Sequence, residues 1–507
     1  MMRPTSPPSF AVRAACIRGI EAAPVTVEVS MSGGIPGICI VGLGDAAVMD
    51  ARVRIRAALR SAGYEVPRKN ITVNLAPGDL RKTGAGLDLP IAIAILAISG
   101  QIPPQGLDEY LFCGELGLDG RVEAVKGGVS YALLARDLGL TLVQGQGGSE
   151  IPLPGVLVKR LEALGRLRQG IQDALVVHTT LSEALVVSCS SGDFSDVVGQ
   201  EVAKRALAVA AAGGHGMLMV GPPGAGKTML ARRFTGILPA ISERERQEAL
   251  CIHSVVGEDV SGLLSGVRPF RSPHHSISAA GLAGGGRPVR PGEISLAHGG
   301  VLFLDELAEF PGSILQILRQ PMEEGWIQIV RADGGYRLPC RFQLLAASNP
   351  CPCGYVGDPQ VDCTCNAAAV DRYQMRIGGP LADRIDIRLD IARPAPDLIV
   401  EGAEGLCTHD LKALVEQGRT FGRWRRSHRH LSDAAHTEGV TASFDLDEAG
   451  ERALLRLARA AHLTGRGMVR LCRVARTVAD IAEAERCSQE HVLEASMYQG
   501  RGGGCGG

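Results

Sequence analysis

The sequence has almost no excess of charge of either sign. Fifty-three basic residues face 54 acidic ones, for a net charge of −1. No global polybasic field exists, so contact with a polyanion has to come from local arginine patches. Lysine is scarce: only seven of the 53 basic residues are lysine. Long apolar runs are missing too. Residues 91–102 are apolar but too short to span a bilayer, and the uncharged stretch 206–226 is broken by Gly and Pro. Residues 1–30 show no apolar core behind a basic start, so no signal peptide is expected and the reading is a cytoplasmic protein without a membrane partner. Fourteen cysteines would suggest disulfides in a small secreted domain, but most are scattered here through 507 residues. No internal repeat is found.

One of the few lysines sits in the most informative run of the chain, Gly221-Pro222-Pro223-Gly224-Ala225-Gly226-Lys227-Thr228, with Met229 next. This is a complete G-x-x-x-x-G-K-[ST] phosphate loop. Its glycines let backbone N–H groups turn inward around a polyphosphate, Lys227 puts a point charge on the β- and γ-phosphates, and Thr228 can hold Mg²⁺. His215-Gly216-Met217-Leu218-Met219-Val220 reads as the strand entering the loop, and residues 229–234 as the helix leaving it. Residues 301–306, VLFLDE, read as a buried strand ending in two acids. Asp305 suits the Mg²⁺ shell, and Glu306 suits orienting a water. The two motifs in this order predict an NTP-hydrolysing enzyme using ATP and Mg²⁺.

The organisation predicted is α/β throughout. Residues 1–190 read as a separate α/β domain, 193–395 as the P-loop core, 396–440 as a polar linker, 441–498 as a helical lid and 499–507 as a disordered tail. In the core, Cys351, Cys353, Cys363 and Cys365 form C-x-C, nine residues, C-x-C. Four thiolates at this spacing fit a closed, structural Zn²⁺ site with no open position for catalysis. Residues 326–330 and 336–342 read as two strands around Arg331-Ala332-Asp333-Gly334-Gly335, where Asp-Gly-Gly is a hairpin signal. Arg331, Arg337 and Arg341 are expected to flank its tip. The pair His274-His275 lies in an insertion before the 301–306 strand and reads equally as a second pore element or as a packed or exposed pair, not as a metal site.

The opening Phe194-Ser195-Asp196-Val197-Val198-Gly199-Gln200 resembles that of the AAA+ Mg-chelatase-like ATPases. RSPHHSIS at 271–278, GEISLAHGGVLFLDELAEF at 292–310, SNPCPCG at 348–354 and GPLADRIDI at 379–387 resemble the ComM/YifB branch, as do residues 41–59 and 74–94. The resemblance covers almost the whole chain. It implies an N-terminal domain like the Lon proteolytic domain, an AAA+ αβα core and a helical lid. It further implies a homo-oligomer, a hexameric ring, that acts as a DNA helicase in branch migration during transformation and recombination. Asn349 falls where sensor 1 would be. Arg384 falls where an arginine finger from a neighbouring subunit would act on developing phosphoryl charge. Arg466 resembles sensor 2, with Arg470 and Arg473 as competitors. The hairpin lies where related motors place a pore loop, so DNA contact is expected from Arg331, Arg337 and Arg341.

Two rival functions are weakened by absences. A Lon-like protease needs a serine nucleophile and a lysine base. Lys82-Thr83-Gly84-Ala85-Gly86 has no serine, and Val129-Ser130 stands where the lysine would be. A chelatase motor that remodels a protein partner and binds no DNA shares the core. Against it stand the N-terminal domain and the lack of a D-x-S-x-S metal-adhesion motif.

Overall fold

The computed structural model describes residues 9–148, 153–176, 192–331, 334–377, 381, 384–401, 405–428 and 443–500. Residues 177–191 between the first two domains, the hairpin tip at Ala332 and Asp333, and the tail from residue 501 lie outside them.

The N-terminal body is a mixed sheet of seven strands. Its order is Gly37–Val41, Asn70–Ala76, Glu21–Ser32, Ser9–Arg18, Tyr110–Phe112, Thr141–Gln144 and Val158–Arg160. The helix Ala46–Ser61 starts where the Asp45 carboxylate accepts the Val48 N–H at 3.0 Å. Val48, Ala51, Ile55, Ala58 and Leu59 recur at helical spacing and are all buried. Arg54 leaves the solvent face and pairs at 2.6 Å with Asp88, the buried first residue of the helix Asp88–Ile98. That pair locks the two helices together beneath the sheet.

The core is a parallel sheet of five strands: Phe270–Arg271, Val301–Leu304, Gln343–Ser348, Met217–Val220 and Ile387–Asp390, in that spatial order. The strand entering the phosphate loop therefore lies between Gln343–Ser348 and the last strand of the sheet. The chain crosses over on both sides of it, which places a ligand site at the C-terminal ends of these strands. All of Met217–Val220 and Val301–Leu304 is buried, as the continuous apolar runs require.

The two bodies pack together. The helix Gly128–Asp137 lies against Glu243–Val256, with the Gly127 N–H on the Ser254 carbonyl at 2.9 Å and the Val129 N–H on the Ser254 hydroxyl at 3.2 Å. One apolar cluster runs through Val129, Ala132, Leu250 and Ile252. Ser130 is buried and its hydroxyl donates to the Ile20 carbonyl at 2.6 Å, while Lys126 Nζ donates to the Val256 carbonyl at 3.1 Å.

One expectation is corrected by the C-terminal part. The stretch 396–440 is not a plain linker, because it contains the helix Thr408–His428. Its buried Leu411, Val415, Gly418 and Gly422 repeat every three or four residues. A Cβ at Gly418 would come 2.6 Å from Ile481, so this glycine is where two helices touch, not where one breaks. With Glu448–Ala460, Gly465–Ile481 and Gln489–Met497 this helix makes a helical bundle that packs on Glu201–Gly213 of the core. Among the described residues no helix is long and apolar enough to cross a membrane.

Candidate nucleotide site

Three strand ends meet at the site. Val220 pairs with Ser348, and Leu304 pairs with Ala346, so Gly221, Asn349 and Asp305 emerge side by side. In the loop, Gly224 and Gly226 hold φ of +79° and +87°, which L-residues rarely adopt. A Cβ at Gly221 would collide with the Ile391 carbonyl oxygen. Ala225 is buried beneath the loop, whereas Pro223 and Met229 are exposed. The helix Lys227–Arg233 then leaves it, starting two residues before the expected 229–234, and tightens to a 3₁₀ turn at Phe234–Ile237.

Lys227 is buried. Its ammonium donates to the carbonyls of Gly221 at 2.6 Å and Pro222 at 3.0 Å and to Asn349 Oδ1 at 3.2 Å. Burial pulls its pKa below the ordinary lysine value, partly opposed by Asp305 and Glu306. The Thr228 hydroxyl lies 2.9 Å from Asp305 Oδ2, and Asp305 Oδ1 accepts the Glu306 N–H at 3.0 Å. A hydroxyl beside a carboxylate at the mouth of a phosphate loop is the donor set a hard divalent cation takes with its nucleotide. Glu306 itself has φ +53°, an uncommon conformation for a residue with a Cβ. It turns the half-exposed carboxylate toward His275, whose Nδ1 is 3.5 Å away. The imidazole also packs on His274 and edge-on to Phe310. The sequence alone left the histidine pair without a role. No motif links it to Glu306, and only the fold brings them together.

The cysteine loop leans on the phosphate loop. A Cβ at Gly354 would come 2.7 Å from Pro223, and Arg393 donates to the Pro223 carbonyl at 3.1 Å while its guanidinium lies over the Tyr355 ring. The four sulfurs of Cys351, Cys353, Cys363 and Cys365 all lie within 4.8 Å of one another. The spacings of 3.4, 3.5 and 3.7 Å among Cys351, Cys353 and Cys363 are near the roughly 3.8 Å edge of a tetrahedron with Zn–S bonds of about 2.3 Å. Backbone N–H groups of Cys353, Val356 and Cys365 point at sulfurs, at 3.4 Å each. Such donors stabilise thiolates, but the sulfurs share the effect unequally. The Tyr355 N–H pulls Cys353 below the ordinary cysteine value, while Cys363 and Cys365, against the backbone N–H groups that lower them, are pushed above it by desolvation and their neighbouring thiols. The residues fit a structural zinc.

The arginines are elsewhere. Arg384 precedes the strand Ile387–Asp390, and Ile387 pairs with Met217. It is therefore at the N-terminal end of the strand whose other end carries the phosphate loop. There it forms an ion pair with Glu323. Arg466 stands in the first turn of Gly465–Ile481. Further along that helix Arg470 donates to the Ile385 carbonyl at 3.3 Å and Arg473 to Asp386 at 3.3 Å, also at this far end.

The hairpin is Trp326–Arg331 paired with Gly334–Pro339, in the register Trp326↔Pro339 and Arg331↔Gly334. Arg341 is thus corrected: it lies beyond the hairpin base, not beside the tip. Pro339 has no N–H to extend the ladder, and the chain turns into the central strand Gln343–Ser348. The Arg341 N–H bonds His298 at 3.1 Å. Arg331 and Arg337 project from opposite faces. Arg331 shares a face with Ile327, Ile329 and Leu338, which are buried. Arg337 is exposed and lies 4.3 Å over the Trp326 ring, next to the exposed Val330. The inner face meets the N-terminal body, where Arg18 lies over the Tyr336 ring.

A parallel sheet with a phosphate loop, a Thr228–Asp305 pair and a helical bundle beside it defines an AAA+ core of the P-loop NTPase class. The chain belongs to the Mg-chelatase-like family that includes YifB and ComM. "Magnesium chelatase, subunit ChlI" matches residues 193–398, "Subunit ChlI of Mg-chelatase" residues 27–143, and "Magnesium chelatase, subunit ChlI C-terminal" residues 405–499. The chain is 39% identical over 489 residues to YifB of Salmonella typhimurium and 37% identical over 491 residues to the competence protein ComM of Haemophilus influenzae, each covering 95% of both chains. It is 31% identical over 159 residues to the magnesium-chelatase 67 kDa subunit of Chlorobaculum parvum, covering 31% of this chain and 23% of that one.

Proposed function

We propose that this protein is an ATP-driven DNA motor of the helicase or branch-migration type, working in the cytoplasm as a homo-oligomeric ring, a hexamer, in recombination of incoming DNA. The observation that carries the ATPase is the Thr228–Asp305 contact of 2.9 Å beside the Lys227 ammonium. Gly221, Gly224, Ala225 and Gly226 turn their backbone N–H groups toward the phosphates, Pro222 and Pro223 shape the loop without donating, and Met229 lies at the rim. Lys227 neutralises the β/γ-oxygens, Thr228 and Asp305 hold the Mg²⁺, and Glu306 and Asn349 orient the attacking water. Bound Mg²⁺ supplies charge neutralisation to the transferring phosphoryl group. Arg384 acts on the nucleotide of a neighbouring subunit, and Arg466 serves as sensor 2 on the lid. The four cysteines hold one zinc that fixes the loop resting on Pro223.

DNA is held by arginines of the hairpin that lies between Glu306 and Asn349 in the chain, where nucleotide state can move it. Similarity to ComM supports this reading, and Arg337 stacked on Trp326 offers both a cation and a ring. The second reading is a chelatase-type motor that pulls on a polypeptide. The match to the chelatase subunit and the exposed Val330 at the hairpin favour it. ATPase rate with and without single-stranded, duplex and forked DNA separates the two. The motor reading expects stimulation that weakens with salt and falls in Arg331→Ala/Arg337→Ala about equally for all sequences. A rate indifferent to every DNA selects the second reading.

A further inference from the structure

A cavity of about 330 Å³ lies between the helical bundle and the core, and six guanidiniums line it: Arg419, Arg423, Arg425, Arg426, Arg473 and Arg476. Among the described residues, carboxylates answer half of them. Asp480 bonds Arg425 at 2.9 Å and Arg476 at 3.1 Å, Asp445 bonds Arg425 at 2.9 Å, and Asp386 bonds Arg473 at 3.3 Å. Among the described residues no carboxylate lies within 4.0 Å of Arg419, Arg423 or Arg426. Arg419, Arg423 and Arg426 are exposed at the mouth of the cavity. Partial desolvation and then the charges of Arg423 and Arg426 pull the pKa of Arg419 below the ordinary arginine value, against Glu245.

Like charges gathered in a recess repel, and arginine cannot relieve this by losing its proton. An anion that meets several planar forks at once would offset this repulsion, and phosphate oxygens have that geometry. The floor of the cavity is polar but already satisfied: His215 uses both ring nitrogens, on Asp386 at 2.9 Å and Thr477 at 2.8 Å. His215 precedes the strand Met217–Val220, whereas the phosphate loop follows it. The cavity is thus at the opposite end of that strand from the nucleotide site.

We propose that this cavity is a second anion site, which takes vicinal phosphate groups on Arg419, Arg423 and Arg426 of the helix Thr408–His428. The phosphates belong either to a free polyphosphate or to a nucleic-acid backbone. The site does not depend on the hairpin or on DNA translocation.

Inorganic tripolyphosphate is the probe, titrated calorimetrically into the full chain carrying Lys227→Ala so that the phosphate loop contributes little. Saturable binding is expected, weakened about tenfold or more when Arg419→Gln, Arg423→Gln and Arg426→Gln are added. No binding before that addition, or equal binding after it, overturns the site. Thermal melting guards against a merely structural role. In anion-free buffer the three glutamines, or Arg423→Gln alone, should melt no lower than the parent, because repulsion is relieved, and should lose the rise that tripolyphosphate gives. A lower melting point without anion overturns the proposal. An oligothymidylate arm assigns the source: displacement of tripolyphosphate supports backbone phosphates in the cavity, and failure to displace it supports a free polyphosphate.

Discussion

The two ends of the five-stranded sheet are built in opposite ways. At the C-terminal end, Lys227, Thr228, Asp305 and Asn349 come within hydrogen-bond reach of one another or of shared partners, and each directly follows a strand or its loop. At the N-terminal end, Arg384, Asp386, His215, Arg473 and Thr477 are brought together from segments far apart in the chain. The first end has carboxylates and a single buried cation. The second has guanidiniums in excess. Each therefore has what the other needs to act on a polyphosphate, but a strand's length separates them within one subunit. In the ring proposed above, one end of one copy would complete the other end of the next.

The comparison breaks most easily at the C-terminal end. Lys227→Ala should lower ATP turnover by on the order of a hundredfold or more and weaken nucleotide binding, because it removes the only ammonium at the phosphates. Glu306→Gln should lose turnover to a similar extent yet keep ATP bound, since only water orientation is lost. Filter-retained nucleotide and phosphate release measure the two effects. Turnover retained in Glu306→Gln would remove that residue from the chemistry.

A smaller effect is expected from the cysteine loop. Metal analysis of protein purified without a metal-binding tag should give about one zinc per chain. Cys351→Ser with Cys353→Ser should release it and lower the melting temperature by roughly 5 °C or more. Nucleotide affinity should fall as well, because Gly354 and Tyr355 no longer support Pro223 and Arg393. Metal-free protein with an unchanged melting point would leave the four sulfurs without a structural role.

The smallest effect sharpens the picture of Glu306. His275→Ala should reduce kcat about fivefold with little change in KM, the size expected from losing one orienting contact. A change confined to KM would move His275 from the carboxylate to nucleotide binding.

How far the sequence revealed these ends follows from the same contrast. The phosphate loop, Asp305 and Glu306 were legible because local backbone demands, glycines and a buried run, fix them within a few residues. The four cysteines were legible for the same reason. The helix Thr408–His428 was not, because its arginines and its glycines at 418 and 422 look like a solvated linker. The glycines are contact points against Ile481 and Asp480, which only the packed structure shows. Arg341 was misplaced because the second strand, expected to run to residue 342, ends at Pro339. The pairing of His275 with Glu306, and the arginine-lined cavity, depend on side chains from separate segments and leave no trace in spacing.

The most direct measurement mixes two inactive proteins. Arg384→Ala should assemble but turn over ATP slower by on the order of a thousandfold, the scale of a lost arginine finger. Glu306→Gln assembles with an intact finger. A mixed ring contains interfaces where Glu306 of one subunit faces Arg384 of the next, so the account predicts that mixing recovers part of the ATPase activity. Mixed assembly, confirmed by co-purification of differently tagged chains, with no recovered turnover at any ratio, would contradict a site shared between the two ends of the sheet.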